Sequence, residues 1–205
     1  MALGTVIRSF AAPSANVRGL TWDGRTLWVA DDNANRIYQI DPVTGTIVRW
    51  FAAPSNSTGG LTWDGRTLWY SDYATADIYQ INPATGVAIL RYATPVVSPH
   101  DLTFDGRSLW IADVGAIVVY ETNPANGRVI RTLPVLRISF GITWDGRFLW
   151  NTDITANTIY AISPLTGTRV LEVASPAGTP CGLAFDGRTL WNVENTGTIH
   201  QISLA

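Results

Sequence analysis

Lysine is absent from this chain of 205 residues; all 14 basic side chains are arginine, set against 16 acids, for a formal net charge of −2. A low, balanced charge argues against a basic face, and so against binding to nucleic acid or to an anionic membrane. One cysteine, Cys181, excludes an internal disulfide. Histidine occurs twice, as His100 and His200, and a His-rich zinc site is therefore unavailable. Glutamate occurs at 121, 172 and 194, with no pair of carboxylates at a recognisable catalytic spacing. A Gly-x-Ser-x-Gly elbow and a phosphate loop are both missing. No apolar run is long enough to span a bilayer, and no charged stretch followed by an apolar one marks a signal peptide. No residue is assigned a catalytic role, no cofactor is expected, and the compartment is left open.

Sustained helical periodicity is lacking too. In its place stands one phrase in five copies. Gly-Leu-Thr-Trp-Asp-Gly-Arg-Thr-Leu-Trp runs from Gly19 to Trp28 and again from Gly60 to Trp69, with variants starting at Asp101, Gly141 and Gly182. A period of 40 or 41 residues with strand-like content implies stacked four-stranded units sharing a core. In the first unit, Leu20–Trp22 reads as a strand, and Asp23-Gly24 as a two-residue type I′ hairpin turn. Thr26–Ala30, Arg36–Ile40 and Thr46–Phe51 read as the next three strands. Asp41-Pro42-Val43-Thr44-Gly45 is a turn in which Asp, Pro and Gly suit their positions.

The fifth unit stops after its third strand. The missing strand lies at the other end of the chain, where Gly4-Thr5-Val6-Ile7-Arg8-Ser9-Phe10 matches Gly45-Thr46-Ile47-Val48-Arg49-Trp50-Phe51. The expected fold is all-β: a five-bladed β-propeller with four antiparallel strands per blade, its last blade completed by the N-terminal strand. Residues 1–205 are read as one domain. Residues 4–18 give the closing strand and its exit loop. Blades one to four are 19–59, 60–100, 101–140 and 141–181, and 182–205 supplies three strands of the fifth.

At Pro180-Cys181-Gly182-Leu183, Asp186-Gly187, Leu190-Trp191, and at Leu27-Trp28-Val29-Ala30-Asp31 with Arg36-Ile37, the repeat resembles NHL and YVTN-type propellers. The resemblance covers the chain blade by blade. It implies the fold and leaves function open, because such propellers include scaffolds, binders and enzymes. Five-bladed members include glutaminyl cyclases, arabinan-degrading glycosidases, a calcium-dependent nucleotidase and a lectin, and no motif specific to any of them is present.

Demands of the fold fall on all blades alike. Recurrent Trp28, Trp69, Trp110, Trp150 and Trp191 therefore read as packing between blades, with sugar stacking as the competing role. Asp31, Asp72, Asp113, Asp153 and Glu194 recur at the end of the second strand. They read as loop-turn acceptors, and as weak metal candidates. The Arg of each Asp-Gly-Arg tip reads as solvated or locally paired.

A single ligand site should instead show as departures from the repeat. The residue before the first strand varies as Arg18, Gly59, His100, Phe140 and Cys181, and the next is Gly in every copy but Asp101. Blade three departs most, and its short exit loop carries Arg137. These positions should lie at one mouth of the central channel. The candidate ligand-binding residues are Arg18, His100, Asp101, Arg137, Phe140 and Cys181. Adjacent strand residues point to opposite faces, so His100 and Asp101 should not form a dyad. His200 stands where the other blades have tyrosine and reads as a packing substitute with a satisfied ring. The functional expectation is a module binding a small molecule, a glycan or a protein at that mouth, as a monomer or as part of a larger protein. The alternatives are a lectin with repeated sites between blades, and a lyase, cyclase or glycosidase centred on His100 and Asp101.

Overall fold

The computed structural model describes residues 2–135 and 139–205. Arg137 therefore lies outside the described residues. Among these residues there are strands and turns but no helix, so no helix long and apolar enough to cross a membrane. Strand β1 (Val6–Ala11) precedes the first blade, which holds β2 (Val17–Trp22), β3 (Leu27–Asp31), β4 (Arg36–Ile40) and β5 (Ile47–Ala52). The second holds β6 (Thr58–Trp63), β7 (Leu68–Asp72), β8 (Asp77–Ile81) and β9 (Ala88–Ala93). The third holds β10 (Pro99–Phe104), β11 (Leu109–Asp113), β12 (Val118–Thr122) and β13 (Val129–Pro134). The fourth holds β14 (Ser139–Trp144), β15 (Leu149–Asp153), β16 (Thr158–Ile162) and β17 (Arg169–Ala174). The fifth is β18 (Pro180–Phe185), β19 (Thr189–Glu194) and β20 (Thr198–Ser203), with β1 as its outermost strand. The pairing of Phe10 with Ile199 and of Ala11 with Thr198 closes the ring, as the matching ends of the sequence require.

Burial explains the strand compositions. All five residues of β3 are buried, because this strand has a blade on each side. Leu27 and Val29 pack on Trp191 and Val193 of the fifth blade, while Trp28 and Ala30 pack on Leu68 and Tyr70 of the second. Each large apolar side chain so enclosed contributes about 1.5–3 kcal/mol. The outermost strands have one free side, and β5 leaves Val48 and Trp50 exposed.

The repeated Asp-Gly-Arg tip differs from a type I′ turn. Gly24 has φ of +96°, but Arg25 is not among the residues of positive φ, so Gly24-Arg25 is the two-residue loop and only its first position is left-handed. Asp23 frames that loop. Its Oδ1 accepts from the Arg25 and Thr26 backbone N–H groups, and its Oδ2 from Thr26 Oγ1 and, at 2.8 Å, Trp28 Nε1. The indole bond recurs in every blade at 2.7–2.9 Å, from Trp69 to Asp64, Trp110 to Asp105, Trp150 to Asp145 and Trp191 to Asp186. The five tryptophans are 1–4% exposed. Packing is their role, and they offer no ring face on which a sugar can stack.

The first strands begin earlier than Leu20, at Val17 and its equivalents, and each carries a β-bulge. The register slips between Val17 and Gly19, between Thr58 and Leu61, and between Pro99 and Asp101. It slips again between Ser139 and Ile142, and between Pro180 and Leu183. A bulge leaves one residue out of the ladder and re-aims its side chain. Arg18 and His100 are so placed in the first and third blades, and Gly59-Gly60, Phe140-Gly141 and Cys181-Gly182 fall in the slip of the others.

Candidate ligand-binding site at the channel mouth

Around the axis the five innermost strands meet closely. A Cβ on Gly182 would collide with the Arg18 carbonyl, and one on Gly141 with the Cys181 carbonyl, which explains glycine at this place in four blades. The exception is Asp101, whose carboxyl lies where a Cβ of Gly60 would point. It is fully buried and joins three blades. Oδ1 accepts from Leu102 N at 2.9 Å, Oδ2 from Ile142 N at 2.8 Å, and the Leu61 N–H also bonds to it. Burial raises its pKa well above the usual carboxylate value, against the pull of those three N–H donors. Asp101 is thus part of the central packing and does not line the mouth.

The mouth itself is built by the bulged residues. His100 stacks on Tyr73, with ring centroids 5.1 Å apart at 15°, and meets Phe140 edge-on at 4.8 Å. The Arg18 guanidinium lies over the Tyr73 ring too, 5.4 Å from its centroid. Arg18 Nε donates to Asp32 Oδ2 at 3.0 Å. A cavity of ≈ 80 Å³ opens beside this cluster, lined by Arg18, Phe140, Ile154, Thr179, Cys181 and Asn195. Arg18, His100, Phe140 and Cys181 therefore lie together around Tyr73 and this cavity. His100 and Asp101 are not hydrogen-bonded to one another.

Sequence reasoning missed Tyr73, Ile154 and Asn195. The signal was present: the position after the second-strand acid reads Asp32, Tyr73, Val114, Ile154 and Asn195, as variable as the bulge position. Four of the five acids before it behave as turn acceptors, and Glu194 does not. Asp31 Oδ1 takes the Asn33 and Ala34 N–H groups, and the same bonds recur at Asp72, Asp113 and Asp153. Among the described residues no three of His, Cys, Asp and Glu form a metal-holding group.

Burial, and then the charge of Arg18, lower the pKa of His100 to about 4. Burial pushes the Cys181 thiol up to about 11, so it is a packed apolar group and not a nucleophile. In an NMR titration the His100 ring protons should shift near pH 4, while those of the unfolded chain shift near 6.5. A depressed histidine pKa means that only the unfolded chain takes up the proton between those values. The His100 contribution to stability therefore holds above about 6.5 and is lost as pH falls toward 4. A ring titrating at 6.5 in the native protein would contradict the enclosed stack.

No protein-family model matches the sequence, and no curated protein shows significant similarity to it. Solved structures do resemble it. A crystal structure of Myxococcus xanthus glutaminyl cyclase superposes with a TM-score of 0.84 at 13% identity, over 97% of this chain and 95% of that one. Selenomethionine-substituted virginiamycin B lyase from Staphylococcus aureus superposes with a TM-score of 0.59 at 20% identity, over 94% of this chain and 68% of that one. A streptogramin B lyase gives 0.57 at 20% identity, with 94% and 66% covered. At these identities the likeness establishes architecture alone: the chain is a five-bladed β-propeller, similar in fold to cyclase and lyase propellers.

Proposed function

We propose that this propeller is a binding module whose ligand enters the channel mouth between Arg18, Phe140 and Cys181. One observation carries the reading. The bulged residues differ in all five copies, and three of them, with Tyr73, form a continuous cluster beside a cavity. Sites that take a drug-sized molecule run to roughly 300–1,000 Å³. A cavity of ≈ 80 Å³ suits one side-chain-sized apolar group better than a sugar chain. Thr179 and Asn195 give polar partners at its wall, and Arg18 gives a cation at its rim. The ligand class that fits is a peptide or small molecule with an apolar group and an adjacent acceptor. Binding is favoured over catalysis because the one imidazole here is neutral at working pH and bonded to no carboxylate.

The test is a chemical-shift titration of wild type and Phe140→Ala with capped dipeptides bearing apolar side chains, and with monosaccharides as the competing class. Shifts at Phe140, Ile154 and Asn195 on adding the dipeptides, lost in the variant, are expected. The reading fails if only monosaccharides shift the protein, if neither class does, or if the dipeptide response survives Phe140→Ala.

A further inference from the structure

The seam between the fourth and fifth blades is unlike the other seams. On β19, Asn192 and Glu194 are two residues apart and so share a face of the sheet. His200 on β20 is the register partner of Asn192, and antiparallel partners lie on the same face with Cβ atoms about 4.5–5.5 Å apart. Leu190 and Ile202 of that face pack on Trp150 and Ile159, so the face looks onto the fourth blade. The repeat puts Ser175 opposite. It takes the place of Ala53, which packs on Tyr70 and Tyr79, whose places Asn192 and His200 hold in the fifth blade.

Four polar atoms of these residues are buried without a hydrogen-bond partner among the described residues: Ser175 Oγ, Asn192 Oδ1, Glu194 Oε1 and His200 Nε2. Asn192 and Glu194 are 0% and 1% exposed. Orphaned acceptors at such depth are costly and call for an explanation. The ring of His200 does not have the full satisfaction expected of a packing substitute. Its Nδ1 is 2.7 Å from Ser9 Oγ, while Nε2 faces Glu194 Oε1 at 3.6 Å, beyond hydrogen-bond reach. With Nδ1–H donated to Ser9, Nε2 presents a lone pair toward a carboxylate. In that tautomer two acceptors face each other there, and a cation joining them would satisfy both. A cation bonded to both at about 2.0–2.2 Å would span that gap with an angle of about 120°.

We propose that this seam is a binding site for one divalent first-row transition cation of the zinc type, ligated by His200 Nε2, Glu194 Oε1 and Asn192 Oδ1, with Ser175 Oγ beside them. Imidazole with hard oxygen donors suits such ions. Ser9 acts as the outer partner that fixes the imidazole orientation, as hydrogen-bonded acceptors commonly do for metal-bound histidine. The departures are concerted. The other blades have Tyr at the place of His200 and Asp at that of Glu194, and three of them have Val29, Tyr70 or Ile111 at that of Asn192.

Cobalt(II) is the probe, titrated into the chelator-stripped full chain while visible absorption and zinc competition are read. One equivalent should bind with a d–d band in the visible, and zinc should displace it. His200→Tyr and Asn192→Val restore residues the other blades use, so both are built to fold; melting and circular dichroism check this. Each should abolish the band, and Ser9→Ala should weaken binding about 10-fold. No band with the wild type would overturn the proposal. So would a band retained in His200→Tyr and Asn192→Val.

Discussion

Removing residues 2–12 should leave a chain that no longer unfolds as one cooperative unit. Strand β1 is the outermost strand of the fifth blade and the only covalent stranger in it, since its partner β20 lies at the far end of the sequence. Deletion strips the ladder along β20 and takes away Phe10, whose ring sits 6.0 Å from that of Trp191. Phe10 also packs against Gly45, where a Cβ would come within 2.8 Å of its ring, so the outer turn of the first blade loses its support. Phe10 is only partly buried, so its loss costs less than the about 3–5 kcal/mol of a fully buried Phe. The ladder adds to that, and a natural domain has only about 5–15 kcal/mol in all. Urea unfolding should show a lower midpoint and a broadened transition, and a synthetic peptide of residues 2–13 should restore both. An unchanged midpoint would mean that ring closure contributes nothing to stability.

Asp64→Ala should cost far more stability than its place at a surface tip suggests. The residue looks dispensable, sitting in a hairpin loop beside exposed Gly65 and Arg66. Yet its carboxylate accepts from Arg66 N, Thr67 N, Thr67 Oγ1 and Trp69 Nε1, and Thr67 Oγ1 accepts in turn from Gln80. Alanine strands the indole N–H of a tryptophan 4% exposed. One unsatisfied buried donor costs about 1–3 kcal/mol, and the lost turn bonds bring the expected loss to about 3–4 kcal/mol. The substitution Arg66→Ala, one turn position away, should cost under about 0.5 kcal/mol. Equal losses for the two variants would remove the staple from the account.

Acid should act on the same groups. Burial tends to raise the pKa of Asp23, Asp64 and Asp186, but bonds from the following Thr, the Trp indole and the turn N–H groups outweigh it and hold all three below the usual value. Depressed carboxylate pKa values contribute stability above the unfolded value of 3.8, lost as pH falls through the native ones.

Most of the architecture was legible because the chain states its unit five times. Blade number, strand order and ring closure all follow from where the phrase recurs and from the match of Thr5–Phe10 to Thr46–Phe51. Three features escaped. A bulge adds one residue without altering apolar alternation, so Leu20 looked like the start of a strand that begins at Val17. The constancy of Asp23 and Trp28 was visible, but the bond between them was not, because spacing along a hairpin does not say which side chains turn toward each other. Glu194 and His200 were visible as departures, whereas Asn192 shares its place with Asn151 of the fourth blade. Their meeting on one face emerges only once the register pairs 192 with 200. At the candidate site, divergence of the copies singled out Arg18, His100, Phe140 and Cys181, and the same criterion applied one loop further on would have added Tyr73.

The five bulges bear on how such a molecule changes over time. Each lifts one side chain out of the hydrogen-bonded ladder, so replacing it disturbs no strand pairing. The mouth can be rewritten one residue at a time while the blades stay as they are. The freedom is uneven around the ring: a side chain at Gly59 would meet Ser71 Oγ at 2.5 Å and the Pro99 carbonyl at 2.7 Å. Of the five letters in this small alphabet, four are free to mutate and one is locked. A lineage built from this repeat would be expected to vary this face from the side of the first, third, fourth and fifth blades.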